Sequence, residues 1–222
     1  MINFIVAYDN QDANLGEYFE DCKNQLFGVL AEHNELVNGV AHEIDGNQCN
    51  NAYIDMIIPS YNKNPFIFIA YSHGSEKALC CGNNRYVEKG VNAHHFINSL
   101  FYTTACSVGK ELGKHLIGQG CLAFVGYEKT INVYQQNGNI EISRNCDNAG
   151  IIAFLSEKIT IFEAYTKMKK YYTQQIDRLN NVKDIVFAAD LVETRDALVC
   201  LGDKNLKKED FFLSKLIYGH LF

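Results

Sequence analysis

Phe66-Ile67-Phe68-Ile69-Ala70-Tyr71-Ser72-His73-Gly74 decides the reading of this chain. Six apolar or aromatic residues in succession, with no polar alternation, fit a short strand covered on both faces. Such strands belong to parallel sheets sandwiched between helices. Around it, other runs read the same way. Residues 2–8 form a continuous apolar stretch closed by Asp9-Asn10, and Leu100-Phe101-Tyr102-Thr103-Thr104-Ala105 closes at Cys106. Cys121-Leu122-Ala123-Phe124-Val125-Gly126 is a further strand, residues 197–201 a short last one, and residues 36–42 a candidate second one.

Between the strands the period changes. Leu15, Tyr18, Phe19, Cys22, Leu26, Phe27 and Leu30 recur at helical spacing, and so do Phe162, Tyr165, Met168, Tyr172, Ile176 and Leu179. Residues 52–58 read as a short helix stopped by Pro59, residues 108–119 as a helix stopped by Gly120, and residues 182–192 as another. The polar stretch 128–148, with Gln135-Gln136-Asn137-Gly138-Asn139 at its centre, reads as a long loop or hairpin. Strands alternating with helices predict an α/β fold, a three-layer α/β/α sandwich around a mainly parallel sheet.

Length and composition narrow the function classes. With 222 residues, no Pro/Gly/Ser-rich linker and no repeat, residues 1–222 read as a single domain. Twenty basic against twenty-six acidic residues give a net charge of −6, with pI near 5.6, so a phosphate-tracking nucleic-acid binder is disfavoured. No apolar run approaches the ~20 residues of a membrane span. The Met1-Ile2-Asn3 start carries no basic leader, and the expected compartment is the cytoplasm. Eight cysteines there are expected to be reduced and mostly small buried hydrophobes. Disulfides and metal are the alternatives. The Cys80-Cys81 and His94-His95 pairs lack ligand spacing, there is no CxxC, and no metal or cofactor is expected. No P-loop or GxGxxG follows a strand.

In a parallel sheet, chemistry gathers at the carboxyl ends of the strands. His73 ends one such strand and Cys106 another. An imidazole can take the thiol proton and return it to a leaving amine, while the thiolate forms an acyl-enzyme that water hydrolyses. The N–H groups of Gly74 and Cys106 are candidate oxyanion donors. A helix beginning near Ser107-Val108 would favour the thiolate through its N-terminal dipole. Each residue alone has a plain alternative: a packing cysteine, a capping histidine.

The strand ending in His73-Gly74 and the strand ending in Ala105-Cys106 resemble the signature of the caspase-like (clan CD) cysteine peptidases. The segment from Ser107-Val108-Gly109 to Val125-Gly126 is similar to the bacterial CHAT and gingipain-type members. Leu201-Gly202-Asp203-Lys204-Asn205-Leu206 resembles the Gly-Asp-Pro-x-Leu element that closes many of them, with Lys204 in place of the proline. The resemblance implies a caspase-like fold, His73 as general acid/base, Cys106 as nucleophile and Gly74 as oxyanion donor. It implies a protein or peptide substrate, a regulatory protein partner, and a regulated protease of bacterial defence or cell death. Asp9 and Glu128 stand where relatives line the first specificity pocket, and acidic residues there favour cleavage after Arg or Lys. Thr104 stands where basic-specific relatives carry an aspartate two residues before the nucleophile. As turn or loop residues, Asp9 and Glu128 have a purely local reading. The rival readings are a catalytically silent scaffold with the same shell, and another thiol acyl-transfer enzyme such as a ligase or deamidase.

Overall fold

Side chains along the central strands alternate between two separate apolar layers, which fixes three layers. A computed structural model describes residues 2–33, 41–133 and 139–212. In chain order the elements are β1 (Asn3–Tyr8), α1 (Gly16–Glu32), β2 (His42–Ile44), α2 (Asn51–Tyr61), β3 (Phe66–Tyr71), β4 (His73–Gly74), β5 (Ala78–Cys81) and β6 (Asn84–Glu88). They continue with β7 (Ser99–Thr103), α3 (Leu112–Gly118), β8 (Ala123–Tyr127), α4 (Asn139–Ser156), α5 (Ile161–Asn181), α6 (Ile185–Ala197) and β9 (Leu198–Gly202). Single 3₁₀ turns lie at Ala93–Phe96 and Lys208–Phe211.

Among the described residues the main sheet runs β2-β1-β3-β7-β8-β9. Every neighbouring pair is parallel except the β8–β9 edge, which is antiparallel. Phe4, Val6, Ile67, Ile69, Tyr71, Tyr102 and Val125 face one core, shared with α1, α4, α5 and α6. Ile5, Ala7, Phe66, Phe68, Phe101 and Phe124 face the other, shared with α2, α3 and the β5–β6 hairpin. Burial on both faces is why these strands read as unbroken apolar runs. This is the expected three-layer α/β/α sandwich around a mainly parallel sheet.

Several boundaries move. The helix expected at residues 52–58 runs on through Pro59 to Tyr61. A proline in the last turn forfeits one backbone bond, and the Asn62 N–H still donates to the Ile58 carbonyl at 3.2 Å. The α2 start is fixed by Asn50, whose side chain accepts from the Tyr53 N–H at 2.9 Å. The second strand lies at His42–Ile44, and residues 36–40 of the expected one are outside the described residues. The helix expected at 108–119 starts only at Leu112, after a series of turns.

Within the polar stretch 128–148, residues 134–138 are outside the described residues, but Asn139 opens α4. This corrects the loop or hairpin expectation. The buried face of α4 begins with Asn139, Ser143, Cys146, Asp147 and Asn148, so its first turns carry no apolar stripe. The small antiparallel sheet β4-β5-β6 was also not foreseen. It is short, and a register shift between Leu79 and Cys80 breaks the alternation.

The Gly202–Leu206 turn explains its own residues. Gly202 has φ +85°, and a Cβ there would lie 2.4 Å from the Leu122 carbonyl oxygen. Asp203 then donates its N–H to that carbonyl at 2.8 Å, and its side chain accepts from the Asn205 N–H at 2.9 Å. Leu206 is buried against the first core.

Candidate active site

The sheet register sets the site. Ala70 of β3 pairs with Thr103 of β7. Counting three residues on along each chain reaches His73 and Cys106, so both emerge level at the carboxyl edge of neighbouring strands. The two ends are packed together at Gly74. A Cβ on Gly74 would lie 2.8 Å from the Cys106 carbonyl oxygen and 2.6 Å from Val108 Cγ2. Only a residue without a Cβ allows that approach.

His73 Nε2 lies 3.0 Å from Asp12 Oδ2, and its ring meets the Phe19 ring edge-on at 5.4 Å. The imidazole side chain is 43% exposed, open enough to meet a substrate. Asp12 sits in the β1–α1 loop and accepts the N–H groups of Asn14 at 2.9 Å and Leu15 at 2.7 Å. Partial burial works against its ionisation, yet those N–H groups and His73 together hold its carboxyl below the usual value. Asp12 is the residue sequence reasoning missed. Its signal was local: an acidic residue three before Leu15, the residue that starts the helical stripe.

Cys106 is half-buried. Its thiol donates to the Ile131 carbonyl at 3.5 Å and accepts from the Ile131 N–H at 3.4 Å. Burial pushes the thiol up, Asp147 adds to that, and the Ile131 peptide pulls partly back. The helix-assisted thiolate expected at this position is therefore absent: α3 begins six residues later, and Ser107 has φ +62° in the intervening turn.

The remaining site residues lie around this pair. Asp9 is 1% exposed, and its carboxylate accepts the N–H groups of Gln11 and Gly82, each at 3.2 Å. It lines a polar cleft with Asp12, Asn47, Gly82 and Asn83, bounded by the loops after β1 and β2 and the β5–β6 turn. Thr104 is 5% exposed, and its hydroxyl has no hydrogen-bond partner. Glu128 follows β8, one strand beyond Cys106, whereas Asp9 follows β1, one strand before His73. Its N–H donates to the Ala197 carbonyl at 2.9 Å.

All eight cysteines are free thiols. Cys22, Cys49, Cys81, Cys121 and Cys146 are buried. Next to Asp9, the Cys49 thiol, burial and Asp9 itself push the Cys81 thiol far up. His95 pairs with Asp55 at 3.4 Å, away from the His73 edge. Among the described residues no group of three His, Cys, Asp or Glu side chains is placed to hold a metal, and no helix is long and apolar enough to cross a membrane.

No family model and no curated protein matches this sequence. Among solved structures, the chain is similar to a crystal structure of the Arg-specific cysteine proteinase gingipain R, with TM-score 0.61 and 14% identity. The match covers 92% of this chain and 47% of that one, so the chain spans about half the length of its structural relative. At that identity the likeness establishes the caspase-like fold alone.

Proposed function

We propose that the chain is a cysteine endopeptidase in which His73 is the general acid/base and Cys106 the nucleophile. The observation that carries this is the parallel pairing of β3 with β7, whose chains run on to His73 and Cys106 at the carboxyl edge, with Gly74 packed against the Cys106 carbonyl. In the reaction, Cys106 Sγ attacks the scissile carbonyl carbon and its proton passes to His73. The backbone N–H groups of Gly74 and Cys106 are offered to the developing oxyanion. The C–N bond breaks as His73 protonates the amine, and water deacylates the enzyme with His73 acting as base. Asp12 is a positioning residue: it fixes one ring nitrogen and leaves the other for the thiol.

The substrate is a protein or peptide, with a preference for Arg or Lys before the cut. The acidic cleft at Asp9 and Asp12 and the net charge of −6 support that preference, and Glu128 is the further proposed substrate contact, whereas Thr104 is too deeply buried to reach a substrate. The single-domain organisation of residues 1–222 rests on its length and the lack of a linker or repeat, and a cytoplasmic location on its eight free thiols, whereas a regulatory protein partner and a place in bacterial defence or cell death among CHAT-type peptidases rest on the sequence resemblance.

A panel of fluorogenic peptides with Arg, Lys, Asp, Asn or Leu before the cut tests this. Turnover is expected with Arg or Lys and lost in both His73→Ala and Cys106→Ala with the fold retained. Cleavage that survives either substitution overturns the dyad. The absence of cleavage across the whole panel, by the wild type and by Ile131→Gly alike, favours the silent scaffold.

A further inference from the structure

The thiol that the proposed reaction needs is already occupied by the protein's own backbone. Both hydrogen bonds of Cys106 among the described residues go to one peptide residue, Ile131, which presents its N–H to the sulfur and its carbonyl to the S–H proton. An incoming substrate must bring its carbonyl carbon to the same sulfur. The Ile131 peptide and a substrate peptide therefore compete for one atom.

Residues 129–133 form a strap with few fixings. The Lys129 carbonyl accepts from the Ser107 N–H at 2.9 Å, and just before the strap the Glu128 N–H donates to the Ala197 carbonyl at 2.9 Å. Ile131 and Val133 are only partly buried where they pack against the core, while Lys129, Thr130 and Asn132 are exposed. Behind the strap is a small cavity lined by Ile131, Asn132 and Val133 together with Ser143, Asp147 and Thr194. The Ser143 hydroxyl, on a residue 6% exposed, has no partner there. An orphaned hydroxyl behind the seat is a hydrogen bond the packed strap leaves unmade.

We propose that residues 129–133 are an autoinhibitory latch: the Ile131 peptide caps Cys106, and the strap must leave the sulfur before a substrate can reach it. This inference rests on Cys106 being the nucleophile. The high thiol pKa set by burial is the expected partner of such a cap, since a protonated thiol donates to a carbonyl and a thiolate does not.

Site-resolved alkylation tests the latch without relying on peptide turnover. The full chain is treated with iodoacetamide near pH 8, and each cysteine is followed by mass spectrometry. Cys106 is expected to react at least ~10-fold more slowly than a free cysteine peptide. In Ile131→Gly, which removes the apolar anchor, its rate is expected to rise about tenfold. Val133→Ser loosens the strap away from the sulfur and gives the same readout if Ile131→Gly fails to fold. The other buried cysteines serve as the control for general opening and are expected to stay slow. A wild-type Cys106 that reacts like a free thiol, or a rate unchanged in a folded variant, overturns the latch. Faster alkylation together with faster cleavage of a fluorogenic peptide supports both readings. Faster alkylation with no cleavage in any variant leaves a strap that covers Cys106 but overturns the peptidase, and with it the autoinhibitory role.

Discussion

At the scale of single residues, the site is built by small constraints on two side chains. His73 is tethered through Nε2 by Asp12, and Asp12 is itself fixed by two backbone N–H groups at the start of α1. Asp12→Asn keeps the shape and removes the charge that supports an imidazolium. A well-placed general base contributes on the order of 10²–10⁴ in rate, and the substitution is expected to lose about tenfold or more of kcat with KM little changed. Rescue separates this from a structural effect: Asp12→Glu, which keeps a carboxylate, is expected to regain part of kcat that Asp12→Asn loses. A glutamate no better than the asparagine contradicts the positioning role. Gly74 is the second constraint. Gly74→Ala forces a Cβ to within 2.8 Å of the Cys106 carbonyl oxygen, so the two strand ends must separate. Peptide turnover is expected to fall by at least tenfold while thermal stability drops modestly, by about 1–3 kcal/mol for overpacking at a rim.

At the scale of elements, apolar runs were legible and polar-faced ones were not. The run 66–71 gave β3 its bounds, and the stripe from Tyr18 to Leu30 gave α1, because in both the buried face is apolar. From there His73 and Cys106 could be placed at strand ends by counting. The α4 helix escaped because Asn139, Ser143, Asp147 and Asn148 occupy its buried face, and the partners of Asn139, Asp147 and Asn148 come from elements far away in sequence. The Asp12–His73 contact escaped for the same reason: it joins residues 61 apart. The cap on Cys106 depends on Ile131, a residue whose own letter carries no chemistry; only the path of its backbone does. A cap at a helix start is local and so can be tested alone. Asn50→Ala removes the acceptor for the Tyr53 N–H and is expected to cost about 1 kcal/mol of stability, read as a lower urea midpoint at constant slope. Peptide cleavage should be unaffected, since α2 packs on the face of the sheet opposite α1.

For the molecule as a whole, the helix layer behind the site is tied together by one buried carboxylate. Asp147 of α4 accepts from Tyr18 of α1 at 2.6 Å, from Tyr172 of α5 at 2.9 Å and from Tyr127 at the end of β8. Beside it, Asn148 accepts from Tyr71 of β3 at 2.6 Å and donates to the Cys22 carbonyl of α1 at 2.9 Å. These contacts join three helices to the sheet beneath the carboxyl edge, and losing the carboxylate removes the acceptor of three hydroxyls, of which those of Tyr127 and Tyr172 keep each other at 2.8 Å. Asp147→Ala is expected to cost about 3–5 kcal/mol, and Tyr172→Phe about 1–2 kcal/mol. Burial pushes the Asp147 carboxyl above its ordinary value of 3.8, against the pull of the three hydroxyls. A carboxyl raised in the folded state favours folding while it is protonated, and that contribution is lost as pH rises through the folded value. Asp147→Asn does not titrate. Its stability deficit relative to the wild type is therefore expected to shrink as pH is raised from below 4 toward neutrality, measured by urea unfolding at each pH. A deficit that grows with pH would mean that the tyrosine hydroxyls outweigh burial and that the folded protein prefers the charged form.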